Sequence, residues 1–442
     1  MIDREIARRA WRIAWPLMVA ESLDSILWII DTFFVSLLGD TAVAAVGVGG
    51  YLGWLFFVGS TMMYMGALVL ASQAIGAGRG GDAGRIIGES VTSNTVLAVP
   101  IGLIGYYAAE PMLILLNAQG EVLAEAVDYF RVRALGLPVV YAYLVYDAAY
   151  RAAGLTRPVL VATGGGVIVN TILDPLLILG IGPFPAMGVA GASLASVIAT
   201  MVNLAILHVN TTVLGFRVKP VKPSAWALKA ARVGLPSMVE RLAFVTGNVA
   251  YIGSVAGCGD KPLAAHTIGV RIESLAFLPM FSIATAAGSM VGQEVGGGRV
   301  LEARRVGWEI GKASLLFGGL TGAVLVLGSG FMPLLFTEDP EVARLSRIYL
   351  VIAGLTEPAL GLEMTIAQTI RGAGNTIVPT IVNLASLYTL RVIPAYILPG
   401  YMPPGLCVLG AWSAMALDVV GRGVALSVIY RRYFTRLARR LV

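Results

Sequence analysis

The sequence predicts an all-α integral membrane protein with twelve transmembrane helices arranged as two parallel six-helix repeats. Three observations carry that prediction. Hydrophobic residues make up 57% of the chain and charged residues 13%, with a mean hydropathy of +0.80, whereas soluble domains carry about 25% charged residues. Windows of ~20 apolar residues, the length that crosses ~30 Å of hydrocarbon, recur along the whole chain. Shifted against itself by 220 residues, the sequence falls into register: Pro16 on Pro236, Gln73 on Gln293, Gly76 and Gly78 on Gly296 and Gly298, Arg79 on Arg299. Pro138 likewise meets Pro358, and Arg151, Gly154 and Thr156 meet Arg371, Gly374 and Thr376. Six spans per copy is an even number, so the copies are parallel, related by an axis along the membrane normal, with a substrate cavity expected between the two bundles.

The first expected span, 12–37, follows Arg4, Arg8, Arg9 and Arg12 but is long, carries Asp24 and Asp31 and lacks a small-residue cleavage site, so it reads as a helix that stays rather than a signal peptide. Its Glu21, Asp24, Ser25, Trp28 and Asp31 fall within about a 120° arc, giving one polar face. Asp31 lies deep in the span with no basic neighbour one turn away. Spans 42–75 and 84–108 flank a glycine-rich run, Gly76 to Gly81, that lacks the Lys-Ser/Thr ending of a phosphate-binding loop. The fourth span, 126–150, holds Tyr141, Tyr143 and Tyr146, which with Phe56 and Phe57 suit aromatic or cationic ligands or simple packing. Asp147 and Arg151 at its end form a self-neutralising i, i+4 pair. In the fifth, 157–181, Asn170 and Asp174 stack on one face, and Pro175 cannot donate to the carbonyl of Thr171, so a helix kink with exposed backbone oxygen is expected there. Two carboxylates, a carboxamide and a freed carbonyl are oxygen ligands for a hard cation, and the same group suits proton carriage. The sixth span is 187–212.

The second copy is read at 230–256, 263–294, 305–333, 344–370, 377–399 and 405–430. Glu240 and Tyr251 share a face of the seventh span and Glu363 sits inside the tenth. With Glu21, Asp24, Trp28 and Tyr141 they are the cavity-lining candidates. Arg271 and Glu273 need partners on other helices, while Asp418 and Arg422 form another i, i+4 pair. The domains are then an N-lobe, 1–210, a cytoplasmic linker, 211–229, and a C-lobe, 230–442.

Basic residues crowd alternate connections, among them Arg79, Arg85, Arg217, Lys219, Lys222, Arg304 and Arg305, and the tail adds Arg431, Arg432, Arg436, Arg439 and Arg440. The opposite connections carry Glu121, Glu125, Asp128, Glu338, Asp339 and Glu341. Both termini are therefore expected in the cytoplasm of a multi-pass cell-membrane protein. The net charge of +6 follows from this asymmetry and needs no nucleic-acid partner. Cys258 and Cys407 both fall near the outer face, where a bridge and two free thiols are each open. His208 and His266 are isolated and suggest no metal site. An intramembrane aspartyl protease is set aside because Asp147 would lie toward the cytoplasmic end of its span and Asp260 in an outer connection, too far apart for a dyad. No catalytic residue is expected.

Taken together, these residues resemble the multidrug and toxic compound extrusion (MATE) family across essentially the whole chain. The matching pieces are Pro16 with Asp31-Thr32 and Gly39, Gln73 to Gly78 with its repeat Val291 to Gly296, Arg151 to Pro158 with Arg371 to Thr376, Asn170 to Asp174, and Gly188 to Ala192. The match looks most like the prokaryotic and archaeal branch. It implies a V-shaped two-lobe transporter that exports amphipathic, often cationic compounds in exchange for Na⁺ or H⁺, with no other cofactor. In that branch the N-lobe ion site is matched by Asp31, Asn170 and Asp174, with Ser196 where the family places a threonine. Those four residues would be the Na⁺ ligands if coupling is to sodium. The acidic residues that other branches use in the C-lobe are not matched, Glu240 standing about one turn early and Glu363 displaced. Partners are expected to be organic small molecules and membrane lipids, and the chain a monomer. The alternative is a related two-lobe flippase of lipids or lipid-linked precursors, which should have a basic cavity floor.

Overall fold

The computed structural model describes residues 3–219, 221–403 and 405–442, and these residues form twelve helical spans. We number them α1 Arg4–Ser36, α2 Asp40–Gly76, α3 Gly80–Leu115, α4 Gly120–Ala153, α5 Arg157–Ile178, α6 Gly188–Val209, α7 Ala225–Ala256, α8 Asp260–Gly296, α9 Val300–Gly328, α10 Pro340–Gly372, α11 Ile377–Tyr401 and α12 Val408–Leu437. Among the described residues ten of the twelve are long and apolar enough to cross a membrane. The exceptions, α4 and α7, carry charges that include Glu121, Asp128 and Arg133 or Arg232, Glu240 and Arg241. The spans expected from hydropathy all appear. Their ends move outward where basic amphipathic turns extend a helix past its apolar stretch, as in α1, which begins at Arg4, and α12, which ends at Leu437.

Two helices change pitch inside the span. α2 contains a 3₁₀ turn, Val58–Ser60, and α11 a π-helical stretch, Leu387–Val392. The repeat seen in the sequence is a repeat of backbone conformation. Gly78 and Gly298 end α2 and α8 at φ 71 and 77°, while Gly154 and Gly374 end α4 and α10 at φ 69 and 88°. A left-handed residue closes a helix most cheaply when it has no Cβ, so these positions keep glycine in both copies.

Two compact units result, Pro16–Met238 and Val239–Val442 together with the N-terminal segment through Trp15. The chain passes from one to the other inside α1 and inside α7, rather than at the connections where the 1–210, 211–229 and 230–442 divisions were drawn. The segment 211–229 is not all linker, because Asn210–Leu214 makes a 3₁₀ turn and α7 starts at Ala225. Residues 1, 2, 220 and 404, which those divisions include, lie outside the described residues. In the first unit α3 packs on α4, α5 on α6, and α4 on α2 and α6. The equivalent pairs, α9 on α10, α11 on α12, and α10 on α8 and α12, build the second.

Within each unit an equivalent glutamate anchors a helix start. Glu89 of α3, fully buried, accepts the backbone N–H groups of Ser224 and Ala227 at 2.9 and 3.1 Å and the Ser224 hydroxyl at 2.6 Å. Those are the donors that the first turn of α7 cannot satisfy internally. Its repeat partner Glu309 accepts the N–H of Asp3 at 3.0 Å, and Asp3 Oδ1 in turn accepts from Glu5 and Ile6 at the start of α1. Glycines allow the same closeness along the helix sides: a Cβ on Gly66 would collide with the carbonyl of Ala230, and one on Gly234 with the carbonyl of Met62.

The second unit is centred on Trp412, Tyr349 and Tyr251. Cys258, after α7, and Cys407, before α12, are joined in a disulfide with Cα atoms 5.7 Å apart. Nearby, Asp339 caps α10 by accepting from Glu341 and Val342 and pairs with Lys261 at 2.7 Å. The Lys261 hydrogen bond and the two backbone N–H groups hold the Asp339 carboxyl below its ordinary value.

Candidate functional site

The polar face of α1 meets two different clusters in the first unit. Toward its N-terminal side Glu21 accepts from Arg151 Nη2 at 3.3 Å, and Arg151 Nε donates to Asp147 Oδ2 at 2.6 Å, forming the i, i+4 pair that the sequence suggested. One guanidinium thereby holds two carboxylates in place. Asp24 and Trp28 remain exposed, Trp28 at 62%. Toward the other end Asp31 reaches α5. Asn170 Nδ2 donates to Asp31 Oδ1 at 2.6 Å and to Asp174 Oδ2 at 3.0 Å, so one amide nitrogen bridges both carboxyls.

This cluster is buried and incomplete. Asn170 and Asp174 are fully enclosed, yet Asn170 Oδ1 and Asp174 Oδ1 have no hydrogen-bond partner. Orphaned buried acceptors of this kind are costly unless something electropositive fills the gap. The shared amide nitrogen holds the carboxyls of Asp31 and Asp174 side by side. Two ionised carboxylates this close repel and can only accept hydrogen bonds, so a proton on one of them or a cation between them favours the arrangement. Among the described residues no group of three or more His, Cys, Asp or Glu converges as a divalent-metal centre would. Two carboxyls and one neutral amide carry at most two negative charges, a load that protons or monovalent cations can balance.

Local sequence explains how α5 presents this set. Asn170 and Asp174 are one turn apart on a helix that is otherwise apolar and glycine-rich, so both point to the same side. Pro175 leaves the Thr171 carbonyl without its usual helical donor. The helix nonetheless continues to Ile178, and the Leu179 N–H returns to the Pro175 carbonyl at 3.3 Å.

The other expected site residues lie elsewhere. Ser196 of α6 lines a cavity with Phe56, Phe57, Phe130, Arg133 and Thr200, and it is not hydrogen-bonded to the carboxyl cluster. Tyr141 is enclosed and donates to the Phe56 carbonyl at 2.6 Å. In the second unit Tyr251 is enclosed and donates to the Ala411 carbonyl at 3.1 Å. Glu240 accepts from Arg371 at 2.7 and 2.8 Å, from Thr380 at 2.8 Å and from Asn383 at 2.8 Å, which fills both its oxygens. Glu363 lies 3.7 Å from Arg422, which also pairs with Asp418 at 3.1 Å. Tyr141, Tyr251, Glu240 and Glu363 are thus engaged in packing or ion pairs and are not free cavity walls. Arg151 and Arg371, 220 residues apart, each tie the fourth helix of a repeat to the acidic residue on its first helix. Sequence reasoning passed over Arg133. The available signal was an arginine inside an expected span with no carboxylate one turn away.

The MatE family model matches residues 16–176 and 236–397. The chain is 32% identical over 431 residues to the probable multidrug resistance protein NorM of Thermotoga maritima, covering 95% of this chain and 90% of that protein. It is 26% identical over 394 residues to a FAD transporter of Shewanella oneidensis, covering 84% of this chain and 83% of that one. Its fold superposes on the Vibrio cholerae MATE transporter VcmN in the bent form with a TM-score of 0.90 at 20% identity, covering 98% of each chain.

Proposed function

The chain belongs to the MatE family, whose members are membrane transporters and not enzymes, and from that premise we propose that it is a cation-coupled multidrug exporter working by alternating access in the cell membrane. Its substrates are amphipathic organic compounds, cationic ones included. Coupling runs through Asp31, Asn170 and Asp174, and Na⁺ or H⁺ is a co-substrate rather than a resident cofactor. The observation that carries this reading is the amide-bridged carboxyl pair with two buried, unpartnered oxygens.

A cation or proton entering that cluster satisfies the orphaned acceptors and draws α1 and α5 together. Losing it leaves charge and lone pairs uncompensated. The ion therefore favours one arrangement of the two helices over the other, which coupling requires, since equal affinity for both would shift nothing. Pro175, with its missing N–H, is where α5 can bend at least cost. The chain acts as a monomer with both termini in the cytoplasm.

Proteoliposome flux of a fluorescent organic cation, driven separately by Na⁺ and H⁺ gradients, tests this. Asp31→Asn and Asp174→Asn are expected to abolish gradient-driven expulsion while leaving dye binding in place. Wild-type expulsion rates in both variants under either gradient would sink the coupling assignment.

A further inference from the structure

Most buried acids of this chain are held by an arginine. Glu89 pairs with Arg85 at 3.1 Å, Asp147 with Arg151 at 2.6 Å, Glu294 with Arg299 at 2.6 Å, Glu363 with Arg422 at 3.7 Å and Asp418 with Arg391 at 2.9 Å. Among the described residues two buried acids are not, and they fall one in each compact unit: Asp174 of the amide-bridged cluster, and Glu357 near the middle of α10. Asp174 at least receives the Asn170 amide. Glu357 is fully enclosed, and neither of its carboxyl oxygens has a hydrogen-bond partner. Glu240 and Glu363, the acids singled out from sequence in this unit, are both taken up by arginines.

The helices packed on α10 bring no compensating charge to Glu357. On α9 a Cβ at Gly318 would strike the Glu357 carbonyl oxygen at 2.5 Å, and one at Gly322 would come within 3.2 Å of the Glu357 Cβ, so this face is bare backbone. From Ser314 to Gly328 α9 carries no titratable group. On α12 Arg422 pairs with Asp418 and Glu363, and on α11 Arg391 pairs with Asp418 and also acts on Glu273. On α8 His266 meets the ring of Tyr349 edge-on, and Glu273 accepts the Tyr349 hydroxyl. The charge that acts on Glu357 through space is that of Glu273, another carboxylate. An ionised group enclosed without donors is costly, and a like charge nearby raises the cost. A hard metal cation would need several oxygen ligands, which the glycine face of α9 does not supply, whereas a proton needs one oxygen. In the first copy the equivalent positions are Leu137 for Glu357 and Gly53 for Glu273. This pair is therefore no consequence of the duplicated scaffold.

We propose that Glu357 binds a proton and that the transport cycle exchanges it, which gives the second unit an H⁺ site separate from the Asp31 cluster. Glu357 holds the proton as the neutral acid. On release the proton passes to water, and the carboxylate left behind has no donor to receive it. Release therefore favours a loosening of α9 against α10 at Gly318 and Gly322 that lets water reach the charge, and rebinding restores the close contact. The exchange rests on the exporter reading, while the bound proton does not.

Infrared spectroscopy of the detergent-solubilised full chain reads the C=O stretch of a protonated carboxyl directly. Wild type is expected to show such a band at neutral pH, slow to exchange in D₂O. Glu357→Gln should lose it, Glu357→Asp should keep it at a shifted frequency, and Asp31→Asn should leave it in place. Retained binding of a fluorescent organic cation shows that each variant is folded. A wild type without the band, or a band that survives Glu357→Gln unchanged, overturns the proton site. Under an H⁺ gradient, proteoliposomes of Glu357→Gln should expel the same dye about fivefold or more slowly than wild type, the low end of ordinary coupling between sites, with Glu357→Asp between. Expulsion at the wild-type rate by Glu357→Gln overturns the exchange. If wild type itself expels no dye under any cation gradient, the exporter reading fails, and the infrared band still decides the proton site.

Discussion

A single amide nitrogen serving two carboxyls makes Asn170 the hinge pin of the ion cluster, since both bonds go to acidic groups at 2.6 and 3.0 Å. Hydrogen bonds to charged groups are worth about 1.5–3 kcal/mol. Asn170→Ala should therefore weaken the apparent affinity for the coupling cation by about tenfold or more, with maximal flux at saturating cation less affected. The dependence of proteoliposome flux on Na⁺ concentration and on pH checks this, and an unchanged half-saturation point in both would refute it. Asp31, Asn170 and Asp174 were legible from sequence because intramembrane acidic and amide groups are rare enough to stand out and helical spacing puts two of them on one face. Ser196 could not be placed in that way. A serine on a small-residue helix has no distinguishing period, and which cavity it meets depends on how α6 packs against α2 and α4. Glu240 illustrates the converse: its carboxylate looked free in sequence because Arg371, Thr380 and Asn383, which occupy it, are more than a hundred residues away.

At the level of elements, glycine placement separates positions that a hydropathy reading treats alike. A methyl group on Gly234 of α7 would meet the Met62 carbonyl of α2, whereas one on Gly50 of α2 would meet nothing within 4 Å. Gly234→Ala forces two helix backbones apart and is expected to cost about 1–3 kcal/mol, the usual range for overpacking. Gly50→Ala should instead be neutral or stabilise by up to about 1 kcal/mol, since helix interiors favour alanine. Thermal denaturation of the two purified variants decides the matter: equal shifts would show that the α2–α7 contact is not the tight one. Twelve spans and a duplicated scaffold were readable because apolar length and matched Pro, Gly and Arg positions are local signals. The anchoring of helix starts by Glu89 and Glu309 was not. Each glutamate reads as an ordinary charge near a helix beginning, and only folding brings Ser224 or Asp3 to it. The same limit hid the unit boundaries, which fall inside α1 and α7 where composition does not change.

For the whole molecule, the disulfide supplies an argument about orientation that does not use the basic residues. Cys258 follows α7 and Cys407 precedes α12, with α8 to α11 between them. Four crossings return the chain to its starting side, so the two cysteines can meet only on one face of the membrane. Disulfides persist in oxidising compartments and are rare in the cytosol, which makes that face the exterior. Seven crossings separate the N-terminus from Cys258 and one separates Cys407 from the C-terminus, and both numbers are odd. This supports the proposed placement of both termini in the cytoplasm, the side that charge asymmetry also favours. In intact cells a membrane-impermeant maleimide should label neither cysteine before reduction and both after treatment with an impermeant reductant, because the chain has two cysteines and both are in the bridge. Labelling that requires lysis would reverse the orientation, and labelling without reduction would mean that the bridge does not form in the cell. The bridge also closes a long stretch of chain, 149 residues, so Cys258→Ser with Cys407→Ser should lower stability by about 2–4 kcal/mol. The carboxyl cluster in the other compact unit contains neither cysteine nor any residue bonded to one, so coupled flux in that double variant, measured below its new melting temperature, should persist.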